Sequence, residues 1–316
     1  MTLPSEFELI EKLFAPLATS PGAFGLKDDV AAIAPRAGCE LIVTTDAIVA
    51  GIDFFPGDPA EGVARKALRV NLSDLAAKGA EPFGYLLTLL IPGETSPSWL
   101  AEFAGGLRQD QERFAISLLG GDMSSTPGPL SVSVTALGHV PAGRLVRRNG
   151  ARAGDGVFVT GTIGDSGGGL DLLRHPSPGV AADVRAALTA RYRLPEPRVG
   201  FAQSVRGASA SIDVSDGLLA DLGHIARASG VRIVVEAARV PRSDALKALW
   251  GESQDAWVRA ATAGDDYEIA FTASSPIAGG DIPVARIGRV EQGSGVVLLG
   301  PQGREIEVPR AGYRHF

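Results

Sequence analysis

Asn71-Leu72-Ser73-Asp74-Leu75-Ala76-Ala77-Lys78-Gly79-Ala80-Glu81-Pro82 closes a helix and enters a strand, and its reading decides the fold. Upstream, Asp58-Pro59-Ala60-Glu61 supplies an N-cap side chain, a proline at the first helical position and an acid in the first turn. Lys78-Gly79 ends the segment with a basic residue and a C-cap glycine, so the spacing predicts a helix over 59–78. On it Ala67, Asn71, Asp74 and Lys78 recur at i, i+4, i+7 and i+11 and share one face, a polar stripe beside the apolar one. Asp74 therefore points at something particular.

Working outward, Cys39 to Thr45 is a β-branched run stopped by Asp46, which predicts a strand with an acid at its carboxyl end, on the rim of a sheet. Ser5 and Glu8 read as a capping box before Phe7, Ile10, Leu13 and Phe14, predicting a helix over 5–16. Downstream, strands are predicted over 83–91, 116–122 and 131–139, with a helix near 97–114. The stretch 141–155, rich in Gly, Arg and Pro and without a period, separates an N-terminal domain, 1–140, from a C-terminal domain, 150–316. In the second half the patterns predict strands at 156–160, 209–213, 231–236, 267–272, 283–290 and 295–299. Helices are predicted near 165–174, 180–191, 197–206 and 243–250, and one opening at Asp216. Strands alternating with helices make the fold class α/β, or α+β.

At 316 residues the chain is long enough for two domains of ~150 residues. With 45% hydrophobic and 21% charged residues it can bury a sizeable core, which excludes wholesale disorder. Lys and Arg number 30 against 36 Asp and Glu, and the net charge of −6 disfavours a nonspecific grip on nucleic acid or an anionic membrane. Cys39 is the sole cysteine, so an intrachain disulfide and a multi-cysteine zinc site are both excluded. The acidic start, Met1 to Glu8, lacks the order of a signal peptide. The apolar stretch Tyr85 to Pro92 falls far short of the ~18 residues of a membrane span. A soluble, cytoplasmic protein is the expectation.

The acids have a pattern. Asp28-Asp29, Asp46 after Thr44-Thr45, Asp74, Asp122 after Gly120-Gly121, Asp213 and Asp216 all occur in short stretches containing Gly, Thr, Ser or Asn at inferred loops and element ends. Each alone could be a cap or turn residue bonding its own backbone, and Asp216 could simply cap the helix that follows. Together they could converge on one cleft, where Mg²⁺ takes oxygen ligands and offsets the repulsion between carboxylates and the phosphates of a nucleotide. Familiar alternatives are missing. None of Lys12, Lys27, Lys66, Lys78 and Lys247 follows a glycine, so there is no Gly-Lys-Ser/Thr phosphate loop. No Gly-x-Gly-x-x-Gly fingerprint or His-Arg-Asp loop occurs either.

Over essentially its whole length the chain resembles the thiamine-monophosphate kinase family, of the aminoimidazole-ribonucleotide-synthetase-like superfamily. The resemblance is carried by Gly25-Leu26-Lys27-Asp28-Asp29, Thr44-Thr45-Asp46, Lys66-Ala67-Leu68, the 71–82 stretch, Gly120-Gly121-Asp122 and Gly161-Thr162-Ile163-Gly164-Asp165-Ser166. Further along come Asp213-Val214-Ser215-Asp216-Gly217-Leu218, Gly264-Asp265-Asp266-Tyr267-Glu268 and the ending Gly312-Tyr313-Arg314-His315-Phe316. It implies ATP-dependent phosphorylation of thiamine monophosphate to thiamine diphosphate with several Mg²⁺ ions and no covalent intermediate. It also implies a two-domain fold in which N-terminal strands pair across a homodimer and a C-terminal α/β domain completes the cleft. Matched position by position, Asp29, Thr44, Thr45, Asp46, Asp74, Asp122, Asp213 and Asp216 look like metal ligands, with Asp28 as a neighbouring acid. Gly121, Arg148 and Ser215 look like ATP contacts, and Asp53, Asp265 and Tyr313 fall where the family meets its substrate. Asp46, Asp74, Asp216 and Arg148 are the residues expected to carry the catalysis.

Three positions depart from the family pattern: Lys27 replaces the second glycine of Gly-x-Gly-Asp-Asp, Asp53 stands for His, and Asp265 for Glu. A ring-closing ligase of the same superfamily or a nonenzymatic Mg-nucleotide-binding module would carry the same aspartates. A phosphate acceptor is already anionic and needs little general-base help, in keeping with His139, His175, His224 and His315 lying outside the acidic motifs. Arg148 reads either as a phosphate contact or as a surface arginine of the 144–152 run, Asp53 either as a substrate group or as a solvated loop residue. Gly164 to Gly169 reads equally as an anion cradle or as close helix packing.

Overall fold

A computed structural model describes residues 5–313, so Arg314, His315 and Phe316 of the C-terminal motif lie outside the described residues. The chain divides into two compact units: one runs to Leu75 and resumes from Ala80 to Gly143, the other comprises Ala76–Gly79 and everything from Arg144.

In the first unit a four-stranded sheet has the order β1 (Cys39–Val49), β4 (Ser131–Pro141), β2 (Glu81–Pro92), β3 (Ser117–Thr126). β4 is antiparallel to both neighbours, while β2 and β3 are parallel and joined through helix α3 (Pro97–Phe114). Such a parallel pair needs a crossover of this length. Tyr85, Leu87, Leu89, Val132, Val134 and Ala136 fill the buried face. Helix α2 (Ala60–Ala77) lies on that face, since Thr44, in register with Ala136, donates its Oγ1 proton to Asp74 Oδ2 at 2.6 Å. α2 meets α3 at Gly106, where a Cβ would come within 2.4 Å of the Glu61 carbonyl oxygen. The buried pair Arg69–Asp110 ties the two helices, with Nε to Oδ2 at 2.6 Å and Nη2 to Oδ1 at 2.8 Å. On the opposite face Leu41, Val43, Leu86 and Leu90 remain exposed. The predicted helix over 5–16 is helical but changes its winding, from α1 (Glu6–Leu9) through a wider turn at Ile10–Phe14 to a tighter one at Ala15–Leu17.

Two strand ends depart from expectation. β1 continues to Val49 and β3 to Thr126, so Asp46 and Asp122 stand inside strands rather than on a rim. Their neighbours explain why: β1 keeps its ladder with β4 as far as Val49–Ser131, and β3 keeps its ladder with β2 as far as Pro92–Thr126. Pairing on an established neighbour outweighs the poor strand propensity of aspartate.

The second unit holds a seven-stranded sheet of order β11 (Glu305–Ile306), β10 (Gly295–Leu299), β7 (Arg232–Glu236), β9 (Val284–Glu291), β5 (Gly156–Thr160), β8 (Ile269–Ala273), β6 (Ala210–Asp213). One face packs Val157, Val159, Ile212 and Ala270 against α7 (Leu218–Ser229) and α9 (Gln254–Thr262) through Leu222, Ile225 and Ala261. The other gathers Phe158, Phe271, Phe201 and Val205, the last from α6 (Ala202–Val205). α4 (Asp165–Arg174), α5 (Ala182–Arg193) and α8 (Asp244–Trp250) form a further layer around Leu172, Leu188 and Leu246. α9 and β11 were not expected from the sequence. No helix among the described residues is long and apolar enough to cross a membrane.

Candidate functional site

The predicted site residues fall into three groups, two in the first unit and one in the second. The first group sits where β1 meets α2. The polar stripe read from the sequence faces the strand: Asn71 donates its Nδ2 to the Ala67 carbonyl at 3.0 Å and accepts the Asp46 N–H on Oδ1 at 2.9 Å. Asp74 takes the Thr44 proton, as above, while Thr45 Oγ1 turns away to the Val134 carbonyl at 3.1 Å. Asp53 closes the turn after β1, its Oδ2 accepting the Val49 N–H at 2.8 Å, and its carbonyl takes the buried Lys66 Nζ at 2.8 Å. Although Asp46 keeps exposed surface, loss of water around its carboxyl, with the charges of Asp74 and Asp53 added, raises its pKa from 3.8 to about 6. Carboxylates and a hydroxyl crowded to this degree, with no soft ligand among them, suit a hard divalent cation such as Mg²⁺.

The second group surrounds a cavity of about 630 Å³ lined by Asp28, Asp29, Gly121 and Asp122 together with Ile10, Phe14, Leu26, Leu86, Leu137 and others. Gly121 is required for packing as well, because a Cβ there would stand 1.9 Å from the Leu87 carbonyl oxygen. The first two groups do not merge. Asp46 shares a row with Val134, Leu87 and Gly121, whereas Asp122 shares the next row with Thr88, Ser133 and Ala47. Adjacent rows point to opposite faces, and β1 and β3 are opposite edges, about 14 Å apart at three strand spacings. The expectation of a single pocket is therefore corrected within this unit: one chain's sheet cannot bring Asp46 and Asp122 to the same ion.

The third group is the loop after β6. Asp213 is buried at the strand end, and Val214 donates to the Glu268 carbonyl at 2.8 Å. Tyr267 donates to the Val214 carbonyl and Asp265 to the Ser215 carbonyl, each at 2.8 Å, while Tyr313 donates to the Asp216 carbonyl at 2.9 Å. The positions expected to meet substrate, Asp265 and Tyr313, are thus laced to the loop that carries Ser215 and Asp216. Asp265 and Tyr267 hold left-handed backbone, φ 66° and 52°, which costs energy in residues with a side chain. Glu268 pins that segment by accepting from Thr160 Oγ1 at 2.7 Å, Arg198 Nε at 2.6 Å and Arg191 Nη2 at 3.0 Å.

Two residues of this group were missed. Asp221, on the first turns of α7, accepts the N–H groups of Ser215, Asp216 and Gly217 on one oxygen, Oδ2, each at 3.1 Å. His224 lies one turn further on, and ligand atoms of Asp216, Asp221 and His224 lie within 4.8 Å of one another. His224 stands outside the acidic motifs along the sequence yet adjoins Asp216 in space, and the overlooked signal is the i, i+3 spacing of Asp221 and His224 on the helix that follows Asp216. Burial and the charge of Asp216 raise the Asp221 pKa to about 7, against the lowering effect of its three backbone bonds. The His224 pKa is lowered by burial, then by Arg148 and Arg227, and Asp216 opposes them, so exposed Arg148 shares this neighbourhood. The glycines from 164 to 169 serve packing: a Cβ at Gly169 would stand 2.1 Å from the Leu188 carbonyl oxygen, and the Gly164 N–H donates to the buried Asp266 at 2.6 Å.

A sequence profile described as AIR synthase related protein, N-terminal domain, matches residues 27–140. A thiamine-monophosphate kinase of Caulobacter vibrioides is 44% identical over 328 aligned residues, covering 99% of this chain and 91% of the relative. This chain belongs to the thiamine-monophosphate kinase family. The solved thiamine-monophosphate kinase from Stenotrophomonas maltophilia K279a superposes with a TM-score of 0.83 at 39% identity, covering 97% of this chain and 99% of that one. A structure described as AaThiL complexed with AMPPCP and TMP superposes at 0.80 and 31% identity, with full coverage of both. The two-unit α/β architecture is accordingly that of the thiamine-monophosphate kinase family.

Proposed function

We propose that this chain transfers the γ-phosphoryl group of ATP to thiamine monophosphate, giving thiamine diphosphate and ADP by direct in-line displacement. The observation that carries the reading is the set of oxygen groups where β1 meets α2: Thr44 Oγ1 bonds Asp74 Oδ2 at 2.6 Å, and two residues along the same strand the Asp46 backbone is held by Asn71. The full-length likeness to a relative complexed with AMPPCP and TMP supports the identity of the two substrates.

Bringing two polyanions together is an electrostatic problem, and several Mg²⁺ ions held by these acids would supply the compensating charge. Thr44, Asp46 and Asp74 would form one metal-holding group, Asp29 and Asp122 a second, and Asp213 and Asp216 a third, with Thr45 beside the first. Gly121, Ser215 and Arg148 would contact ATP, the last through its guanidinium fork. Asp53, Asp265 and Tyr313 would orient the acceptor. Domain 1–140 would bind ATP and metal, and domain 150–316 would supply Asp213, Ser215, Asp216 and Arg148 to the same reaction. The exposed apolar face bearing Leu41, Val43, Leu86 and Leu90 supports burial against a second copy, hence a homodimer, checked by light scattering. A cytoplasmic location fits these substrates.

The test is incubation of the full chain with ATP, Mg²⁺ and thiamine monophosphate. ADP and thiamine diphosphate are expected in equal amounts. ATP turnover only with a different acceptor would favour another member of the superfamily, and nucleotide binding without any turnover a binding module.

A further inference from the structure

We propose that Asp221 is the positioning residue of the Asp216 loop: its buried carboxylate fixes the backbone from which Ser215 and Asp216 act, and its charge strengthens the hold of Asp216 on a divalent cation. The inference rests on the reading that Asp216 is a metal ligand.

The loop's hydrogen bonds divide cleanly. The carbonyls of Ser215 and Asp216 are occupied by Asp265 and Tyr313, from separate segments. The N–H groups of Ser215, Asp216 and Gly217 all converge on Asp221 Oδ2 at 3.1 Å. Helix α7 has no side-chain cap at Gly217, which holds φ 123°, so its entry depends on this one carboxylate. Asp221 is 2% exposed and has ligand-atom distances to Asp216 and His224 within 4.8 Å.

Anchoring backbone N–H groups does not require a charge, because the single carbonyl oxygen of an asparagine accepts the same bonds. What asparagine cannot supply is a second negative charge beside Asp216. Two like charges this close, one of them buried, cost stability in the metal-free protein, and a bound cation offsets that cost. A purely structural anchor and a charge-supplying positioning residue therefore differ in what Asp221→Asn does to cation binding. Neutralising Asp221 leaves the metal-free fold at least as stable while weakening cation binding in the second case, and leaves cation binding unchanged in the first.

The experiment uses the full chain as wild type, Asp221→Asn and Asp221→Ala. Thermal unfolding is followed in EDTA, and Mn²⁺ is titrated while the His224 ring resonances are watched by NMR, with a His224→Asn variant for assignment. In Asp221→Asn the metal-free Tm is expected to equal or exceed that of wild type, and about tenfold more Mn²⁺ to be needed to broaden His224. Its KM for Mg²⁺ rises about tenfold in the kinase assay, with kcat at saturating Mg²⁺ within about threefold. Asp221→Ala, which strands three N–H groups, loses Tm. A lowered metal-free Tm with unchanged Mn²⁺ response in Asp221→Asn would overturn the proposal, as would no change in either. Absence of thiamine diphosphate formation by wild type, with the Mn²⁺ shift intact, would sink the kinase reading and leave this one standing.

Discussion

Asp46→Asn removes one carboxylate from the crowded group at β1 and α2 while preserving its size. The wild-type pKa of about 6, against 3.8 for a free aspartate, reflects first the loss of water and then the charges of Asp74 and Asp53. Without screening, a rise from 3.8 to about 6 corresponds to about 3 kcal/mol. Asp46 keeps exposed surface, and solvent screening reduces this to about 1 kcal/mol. The sign follows from linkage. A carboxyl whose folded pKa is raised binds more protons when folded, so its contribution is present below the unfolded pKa of about 4 and is lost as pH rises through about 6. Metal-free Asp46→Asn should therefore be more stable than wild type by about 1 kcal/mol at pH 8, and the difference should vanish near pH 4. Urea unfolding in EDTA at the two pH values measures it. Phosphoryl transfer should fall by about 10²–10³, the usual cost of removing one preorganised electrostatic group. A variant less stable than wild type at pH 8 without metal, or one with wild-type turnover at limiting Mg²⁺, would refute the reasoning.

Because Asp46 must lose its proton to ligate, the apparent Mg²⁺ affinity should drop about tenfold per pH unit below pH 6, with proton release seen by calorimetry in two buffers of different ionisation enthalpy. Asp110→Ala leaves the buried Arg69 guanidinium uncompensated between α2 and α3, and urea unfolding should show a loss of about 3–5 kcal/mol. Gly121→Ala forces a Cβ against the Leu87 carbonyl, a backbone atom that cannot swing aside, and should cost about 1–3 kcal/mol in the same measurement.

Helices were legible where local chemistry marks their ends. α3 follows Ser96, whose Oγ accepts the Trp99 N–H at 3.1 Å, and α2 starts and stops within a residue or so of its expected limits. α9 was missed although Ser253 caps it, because Gln254–Thr262 carries a single turn or two of apolar residues that read equally well as loop. Strand ends were less legible, since a strand ends where its partner's ladder ends, and the partners of Asp46 and Asp122 lie far along the chain.

The sequence by itself determined the layered α/β class, the helix limits written in caps and glycines, the aspartate motifs and the family they mark. All of these rest on interactions within a few residues or on the order of motifs along the chain. Only the tertiary structure decided that Asp46 and Asp122 face opposite sides of one sheet, because the face depends on register across four strands. The approach of Asp221 and His224 to Asp216 was written in a local helical spacing, whereas the tertiary structure alone chose packing over an anion cradle at 164–169, by filling that helix entry with the Asp266 carboxylate. Contacts of this kind are made between chain segments as far apart as 102 residues, and no local pattern encodes their distance.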